Sequence, residues 1–254
     1  MKPKSTLSVF AAENRRVADG KVVFKRDGDA YSLSNGVLSI HGELCGERLA
    51  QSIRLAGHDC GSLDVLLKVA DGKGGWTWPG IKSLCSISCR EIAGAGVLDL
   101  IGEWWHVVGR WTIPGIAFRA HVRLTVRPGE PIFLCELVDI ANSGTKELDV
   151  ARAFICVMPP KGVKPVCVKQ ATDAENAAAW DAGGGFAIGL RSEDEGVQKL
   201  SFWVDAKSQC PHADCGFSMP EGKDLVLRPG CSAKLTKPMN AVVFCCPTLS
   251  PGCQ

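Results

Sequence analysis

The 254-residue sequence predicts an all-β protein, a large antiparallel β-sandwich with at most one or two short helices. Three observations carry this. Residues 118–126 alternate strictly: Phe118, Ala120, Val122, Leu124 and Val126 fall on one side, and Arg119, His121, Arg123 and Thr125 on the other, which is the period of a strand. Apolar runs over 82–92, 96–103, 118–126, 132–140 and 148–157 are separated by short turn signals, as antiparallel neighbours require. The best helix-like stretch, residues 173–180, is only about two turns long.

Taken in order, residues 1–20 form a leading segment or edge strand, and 21–25 a short strand. Asp27-Gly28-Asp29 has turn chemistry. Residues 31–40 read as strand, Asn35-Gly36 turn or bulge, and strand. The apolar run 62–70 is too short for periodicity to decide between strand and helix, and Asp71 to Gly75 closes it. Beyond residue 81 the turns fall at Gly94-Ala95-Gly96, Pro114-Gly115, Arg127-Pro128-Gly129-Glu130-Pro131 and Asn142-Ser143-Gly144, with a break at Met158-Pro159-Pro160. Gly183 to Gly185 ends the helix-like stretch, and 186–191, 199–204, 223–227, 232–236 and 240–246 read as further strands. Arg228-Pro229-Gly230 reuses the turn chemistry of Arg127-Pro128-Gly129, but the flanking residues do not repeat. No linker divides the chain, so residues 1–254 are expected to form one domain.

A net charge of +2 gives no global attraction for nucleic acid. No window of about 18 apolar residues offers a membrane span, and the basic N-terminus has too brief an apolar run for a secretory signal. Thirteen cysteines is an odd count, and Cys135, Cys156 and Cys245 lie in apolar runs. Mostly free thiols in a reducing, cytoplasmic setting are therefore expected. Cys85 and Cys89 are expected on one core-facing side of a strand. The spacing of Cys210, His212 and Cys215 fits no standard zinc knuckle, and neither a serine-nucleophile elbow nor an H-E-x-x-H motif occurs. No metal or other cofactor is expected.

The stretch from Gly102 to Trp111 holds three of the seven tryptophans. Trp104, Trp105 and Trp111 offer indoles that stack on sugar rings. In a regular strand Trp104 and Trp105 point opposite ways, so one of them is expected off the core. Arg119, His121 and Arg123 recur about 7 Å apart on one face. With Arg110 they could grip carboxylates along an acidic sugar chain. His106, His121 and Glu136 are the candidate acid/base groups, and Glu136 would have a raised pKa if buried among Leu134 and Val138.

The opening pair at 31–40, the Arg127-Pro128-Gly129-Glu130-Pro131 turn, the Asp139-Ile140-Ala141-Asn142-Ser143-Gly144 return, residues 185–191 and Leu227-Arg228-Pro229-Gly230 together resemble the galactose-mutarotase-like β-supersandwich. The layout is similar to exo-acting rhamnogalacturonan lyase-like proteins over roughly residues 30–246. That resemblance implies a carbohydrate partner. The expectation is a protein that recognises an acidic, uronate-containing saccharide, with a polysaccharide lyase as the leading reaction. In that reaction Arg110 or Arg119 would neutralise the carboxylate, and His106 or His121 would take the proton alpha to it. A non-catalytic carbohydrate-binding or structural module and a small-sugar epimerase are the alternatives.

Overall fold

A computed structural model describes residues 21–70, 76–77, 79–108, 111–160, 162–163, 167–169, 177–192, 198–204, 211–217 and 225–247. Their strands form two antiparallel sheets that share one core. The first sheet runs β1 (Val23–Asp27), β2 (Ala30–Ser34), β3 (Leu38–Cys45), β4 (Arg48–Leu55), β5 (His58–Ala70), β11 (Leu148–Met158), β16 (Pro211–Phe217) and β15 (Gln198–Val204). β6 (Trp76–Thr77) pairs with β5, and β17 (Leu225–Leu227) with β11. The second sheet runs β12 (Cys167–Lys169), β13 (Ala177–Gly183), β14 (Phe186–Ser192), β18 (Ser232–Pro247), β10 (Ile132–Asn142), β9 (Trp111–Val126), β8 (Ala95–Val108) and β7 (Gly80–Ile92).

Alternation decides what each sheet buries. Leu33, Ile40, Ile53, Leu63, Val65 and Leu67 line the inner face of the first sheet, and Leu98, Leu100, Phe118, Leu124, Phe133 and Ile140 that of the second. Each large side chain buried this way contributes about 1.5–3 kcal/mol. On the inner face the Tyr31 ring lies across Gly42, where a side chain would collide with it. Its hydroxyl donates to Gln51 Oε1 at 2.6 Å. This satisfies two of the polar groups the core encloses.

Two buried asparagines tie turns from different sheets. Asn35 Nδ2 donates to the carbonyls of Arg127 (2.6 Å) and Glu130 (2.7 Å), while its Oδ1 accepts from the N–H groups of Val37 (3.2 Å) and Leu38 (2.8 Å). Gly129 N–H donates to the Asn35 carbonyl. Asn142 repeats the arrangement. Its Nδ2 donates to Lys146 and Leu227 carbonyls, its Oδ1 accepts from Gly144, and Gly230 N–H donates to its carbonyl. Each Arg-Pro-Gly turn thus presents its glycine N–H to a buried asparagine. The recurrence visible in sequence is a repeated latch between separate parts of the chain. At the sandwich edge, Arg26 on β1 donates to the Ile87 carbonyl on β7 at 3.1 Å.

The all-β expectation holds, and several local expectations do not. No helix occurs among the described residues. Ala177 to Trp180, read as helix-like, lies in β13, and residues 173–176 fall outside the description. Pairing on both edges, with Trp180 buried, overrides the helix propensity of three alanines. The ambiguous run at 62–70 is strand, and the β3–β4 hairpin extends through residues 41–55, where no strand was expected. Pro114-Gly115 is not a turn but an irregular point inside β9. Gly115 has φ +91°, and its carbonyl receives the N–H groups of Thr145 and Lys146. Cys85 is exposed and Cys89 only partly buried, because two register shifts break the alternation of edge strand β7.

Candidate functional site

The site is built on the outer face of the second sheet, opposite the core-facing side chains of β9. In β9, Arg119, His121 and Arg123 do share one face, as their spacing predicts. The neighbouring strands bring them carboxylates. Asp99 on β8 is opposite Arg123, and Glu136 on β10 lies opposite Arg123 from the other side. Asp139 is opposite His121, and Glu103 opposite Arg119.

Strict alternation from Glu136 would put Val138, not Asp139, on this face. A register shift between Leu137 and Asp139 changes that. Val138 is buried, and Asp139 emerges on the same side as Glu136. This bulge is what assembles the two carboxylates of β10, and it takes Val138 away from beside Glu136.

Asp99 is the hub. It is 6% exposed, within an otherwise apolar segment of β8. Its Oδ1 lies 2.7 Å from His121 Nε2 and accepts a hydrogen bond from Arg123 Nε at 2.8 Å. Arg90 Nη1 stands 3.1 Å from Oδ2 as an ion pair, without the geometry of a hydrogen bond. His121 Nδ1 lies 3.5 Å from Asp139 Oδ2, so each ring nitrogen faces a carboxylate. Burial pushes the Asp99 carboxyl up. The hydrogen bonds from Arg123 and His121, with the charges of Arg123 and Arg90, outweigh it and hold the group below the usual carboxylate range. Glu136 shifts the other way. Burial raises it, the nearby Asp99 charge adds to this, and Arg123 and His121 only partly oppose it. One half-buried face therefore holds one carboxylate shifted below the usual range and another shifted above it, a division suited to acid/base work.

The positive row is thus not a row of free cations. Arg123 and His121 are engaged by Asp99, whereas Arg119 is exposed and makes no ion pair among the described residues. Of the expected aromatic platform, Trp104 is the member whose side chain is described, and it turns into the core. Trp104 is 8% exposed, stacks on Phe118 with ring centroids 5.9 Å apart, and covers Gly102. It belongs to the core because Gly102 leaves room for its ring. Trp105 and His106 lie on β8 and Trp111 on β9, with only their backbone described, and Arg110 lies outside the described residues.

Sequence reasoning found His121, Arg123 and Glu136 but missed Asp99, Asp139 and Arg90. A lone carboxylate within the apolar run Val97-Leu98-Asp99-Leu100-Ile101 was the available signal for Asp99. Nothing in the local pattern announced the bulge that delivers Asp139. No helix among the described residues is long and apolar enough to cross a membrane.

No protein-family model matches the chain, and no curated protein matches it. Solved structures do. The GH36 α-galactosidase AgaB from Geobacillus stearothermophilus matches with a TM-score of 0.59 at 12% identity, covering 89% of this chain and 41% of its own. A variant of α-galactosidase AgaA from the same organism, in complex with 1-deoxygalactonojirimycin, matches with a TM-score of 0.55 at 12% identity, covering 90% and 41%. A candidate aldose 1-epimerase from Klebsiella pneumoniae matches with a TM-score of 0.50 at 9% identity, covering 93% of this chain and 86% of its own. The chain spans less than half the length of the α-galactosidases it matches. These likenesses bear out the galactose-mutarotase-like β-sandwich and carry nothing for the rhamnogalacturonan lyase layout. The chain shares its fold with carbohydrate-active enzymes.

Proposed function

We propose that this protein is a carbohydrate-recognising β-sandwich whose sugar-contacting surface is the outer face around Asp99, His121, Arg123, Glu136 and Asp139. The observation that carries the proposal is the charge-balanced network itself. Arginine, histidine and carboxylate groups alternate across adjacent strands, partly buried and held by one another. Donors and acceptors side by side suit sugar hydroxyls, each of which donates one hydrogen bond and accepts others. The fold shared with α-galactosidases supports the same substrate class. An acidic saccharide fits through Arg119, the exposed cation of the row. With His121 and Arg123 engaged by Asp99, the face favours neutral sugar over a run of uronates.

A second reading, turnover by proton transfer, is favoured by the opposed shifts of Asp99 and Glu136. In it, His121 and Glu136 exchange protons with the ring oxygen and anomeric hydroxyl of a small sugar, the chemistry of an epimerase. A lyase would instead use His121 as base beside Arg119.

A panel of neutral and uronate-containing saccharides, measured by calorimetry, tests the binding proposal. Binding to at least one sugar is expected, with affinity lost in Glu136→Gln or His121→Ala while each variant still unfolds in one cooperative transition. Unchanged affinity in both variants would overturn the site. Polarimetry of anomer exchange and ultraviolet detection of unsaturated products then separate epimerase, lyase and binder.

A further inference from the structure

We propose that Cys60 and Cys245 are a redox clasp, two thiols of the core that close into a disulfide joining the first sheet to the second. Cys60 lies on β5 and Cys245 on β18, and both are buried. Their thiols share a hydrogen bond across the sandwich. A second contact joins the same two sheets. His58, two residues before Cys60, stacks on Phe186 with ring centroids 4.5 Å apart. Phe186 and Ile188 are two residues apart on β14, and Ile188 is the residue paired with Cys245. Cys60 sits at a register shift of β5, between Asp59 opposite Arg54 and Gly61 opposite Ile53. The ring stack and the thiol pair are neighbouring contacts along one seam. Gly184, with φ +59°, lets the β13–β14 turn close over the His58 ring, where any side chain would collide with it.

The chemistry at Cys60 differs from that of a cysteine which only fills space. Cys89 is pushed up by burial and by the Asp99 charge, as expected for an inert thiol. Cys60 is shifted down even though it is buried. The hydrogen bond from Cys245 outweighs desolvation, and a backbone hydrogen bond at Leu55 adds to it. The Cys60 thiol also stands 3.7 Å from the His58 carbonyl as a donor, and its lowered pKa is the condition that favours attack on a disulfide as thiolate.

The reaction is thiol–disulfide exchange with a small-molecule disulfide such as glutathione disulfide. The Cys60 thiolate attacks one sulfur, forming a mixed disulfide and expelling one glutathione thiolate. Cys245, deprotonated, attacks Cys60 Sγ and expels the second. The protein loses two electrons and two protons, and the oxidant is reduced to two thiols. Because both cysteines are buried, exchange proceeds through opening of the seam, and the closed disulfide is shielded from reductant once the seam re-forms.

The full-length chain, reduced and then held in glutathione disulfide at a urea concentration just below its unfolding transition, is returned to buffer, alkylated and digested. The expected result is a cross-linked peptide containing Cys60 and Cys245, with the oxidised chain unfolding about tenfold or more slowly than the reduced one. The peptide disappears in Cys60→Ser and persists in Cys85→Ser, whose thiol is exposed. If Cys60→Ser does not fold, the peptide map of the unaltered chain still decides the matter. Recovery of Cys60 and Cys245 as separately alkylated thiols, or in cross-links to other cysteines, would overturn the proposal.

Discussion

The Asn35 latch and the Asp99 hub are both enclosed polar groups, and they are satisfied in opposite ways. Asn35 meets only backbone, with two carbonyls and two N–H groups within one pair of turns. Asp99 meets only side chains, those of His121, Arg123 and Arg90. Backbone partners are supplied by the fold, do not change charge, and need no ligand to complete them. Side-chain partners bring charge, and here they stand on a face that solvent and solutes reach. The comparison separates a polar group that holds the chain together from one placed to meet something else.

The largest expected effect breaks the first half of the comparison. Asn35→Ala removes four hydrogen bonds, takes the Asn35 donor from the Glu130 carbonyl, and leaves the Arg127 carbonyl with the Glu130 N–H at 3.3 Å. It should cost about 3–4 kcal/mol, read as a lower urea midpoint at unchanged slope. Asn142→Ala should cost a similar amount, since it repeats the same pattern on the other Arg-Pro-Gly turn. Loss of stability in only one of the two would show that the latches are not equivalent.

Asp99→Ala should cost less, about 2–3 kcal/mol, since Arg90 and Arg123 are partly solvated and keep part of their hydration. Its signature is a pH dependence that Asn35→Ala lacks. The Asp99 pKa is depressed in the folded state, so its contribution is present above the unfolded carboxylate pKa and is lost as pH falls through the folded one. Asp99→Asn should flatten the acid limb of the stability curve. Glu136→Gln should act with the opposite sign. Its folded pKa is raised, so the wild-type residue favours the fold most at low pH, and that advantage fades as pH rises through the folded value. The glutamine variant should therefore gain relative stability toward neutral pH.

Asp64 lies on the first sheet, away from this face. Burial raises its carboxyl to about 6, with the Val65 backbone and Arg48 opposing. Between the ordinary carboxylate pKa and about 6 the folded state binds more protons than the unfolded one, so this term weakens stability as pH rises. Asp64→Asn should remove that slope without touching sugar binding. A change in affinity would extend the site to the first sheet.

Most of the sheet architecture was legible because alternation and turn residues are local. The runs at 82–92, 118–126, 132–140 and 148–157 lie within strands of the structure. Half of the site was legible for the same reason, since Arg119, His121 and Arg123 follow from period two alone. The rest depended on distant pairing. Asp139 reaches the site through a bulge, Asp99 through register with β9, and Trp104 leaves the surface because Gly102 receives its ring. The Asn35 latch joins residues 92 and 95 positions apart in the chain, which no local pattern encodes.

The most direct test of the carbohydrate face is the side-chain nitrogen spectrum of the histidines during a galactose titration. Among the described residues, His121 lies between Asp99 and Asp139, while His41 and His58 lie on the first sheet. Saturable shifts are expected at His121 with none at His41 or His58, and their loss in Glu136→Gln. Saturable galactose binding that leaves His121 unmoved would contradict the carbohydrate face.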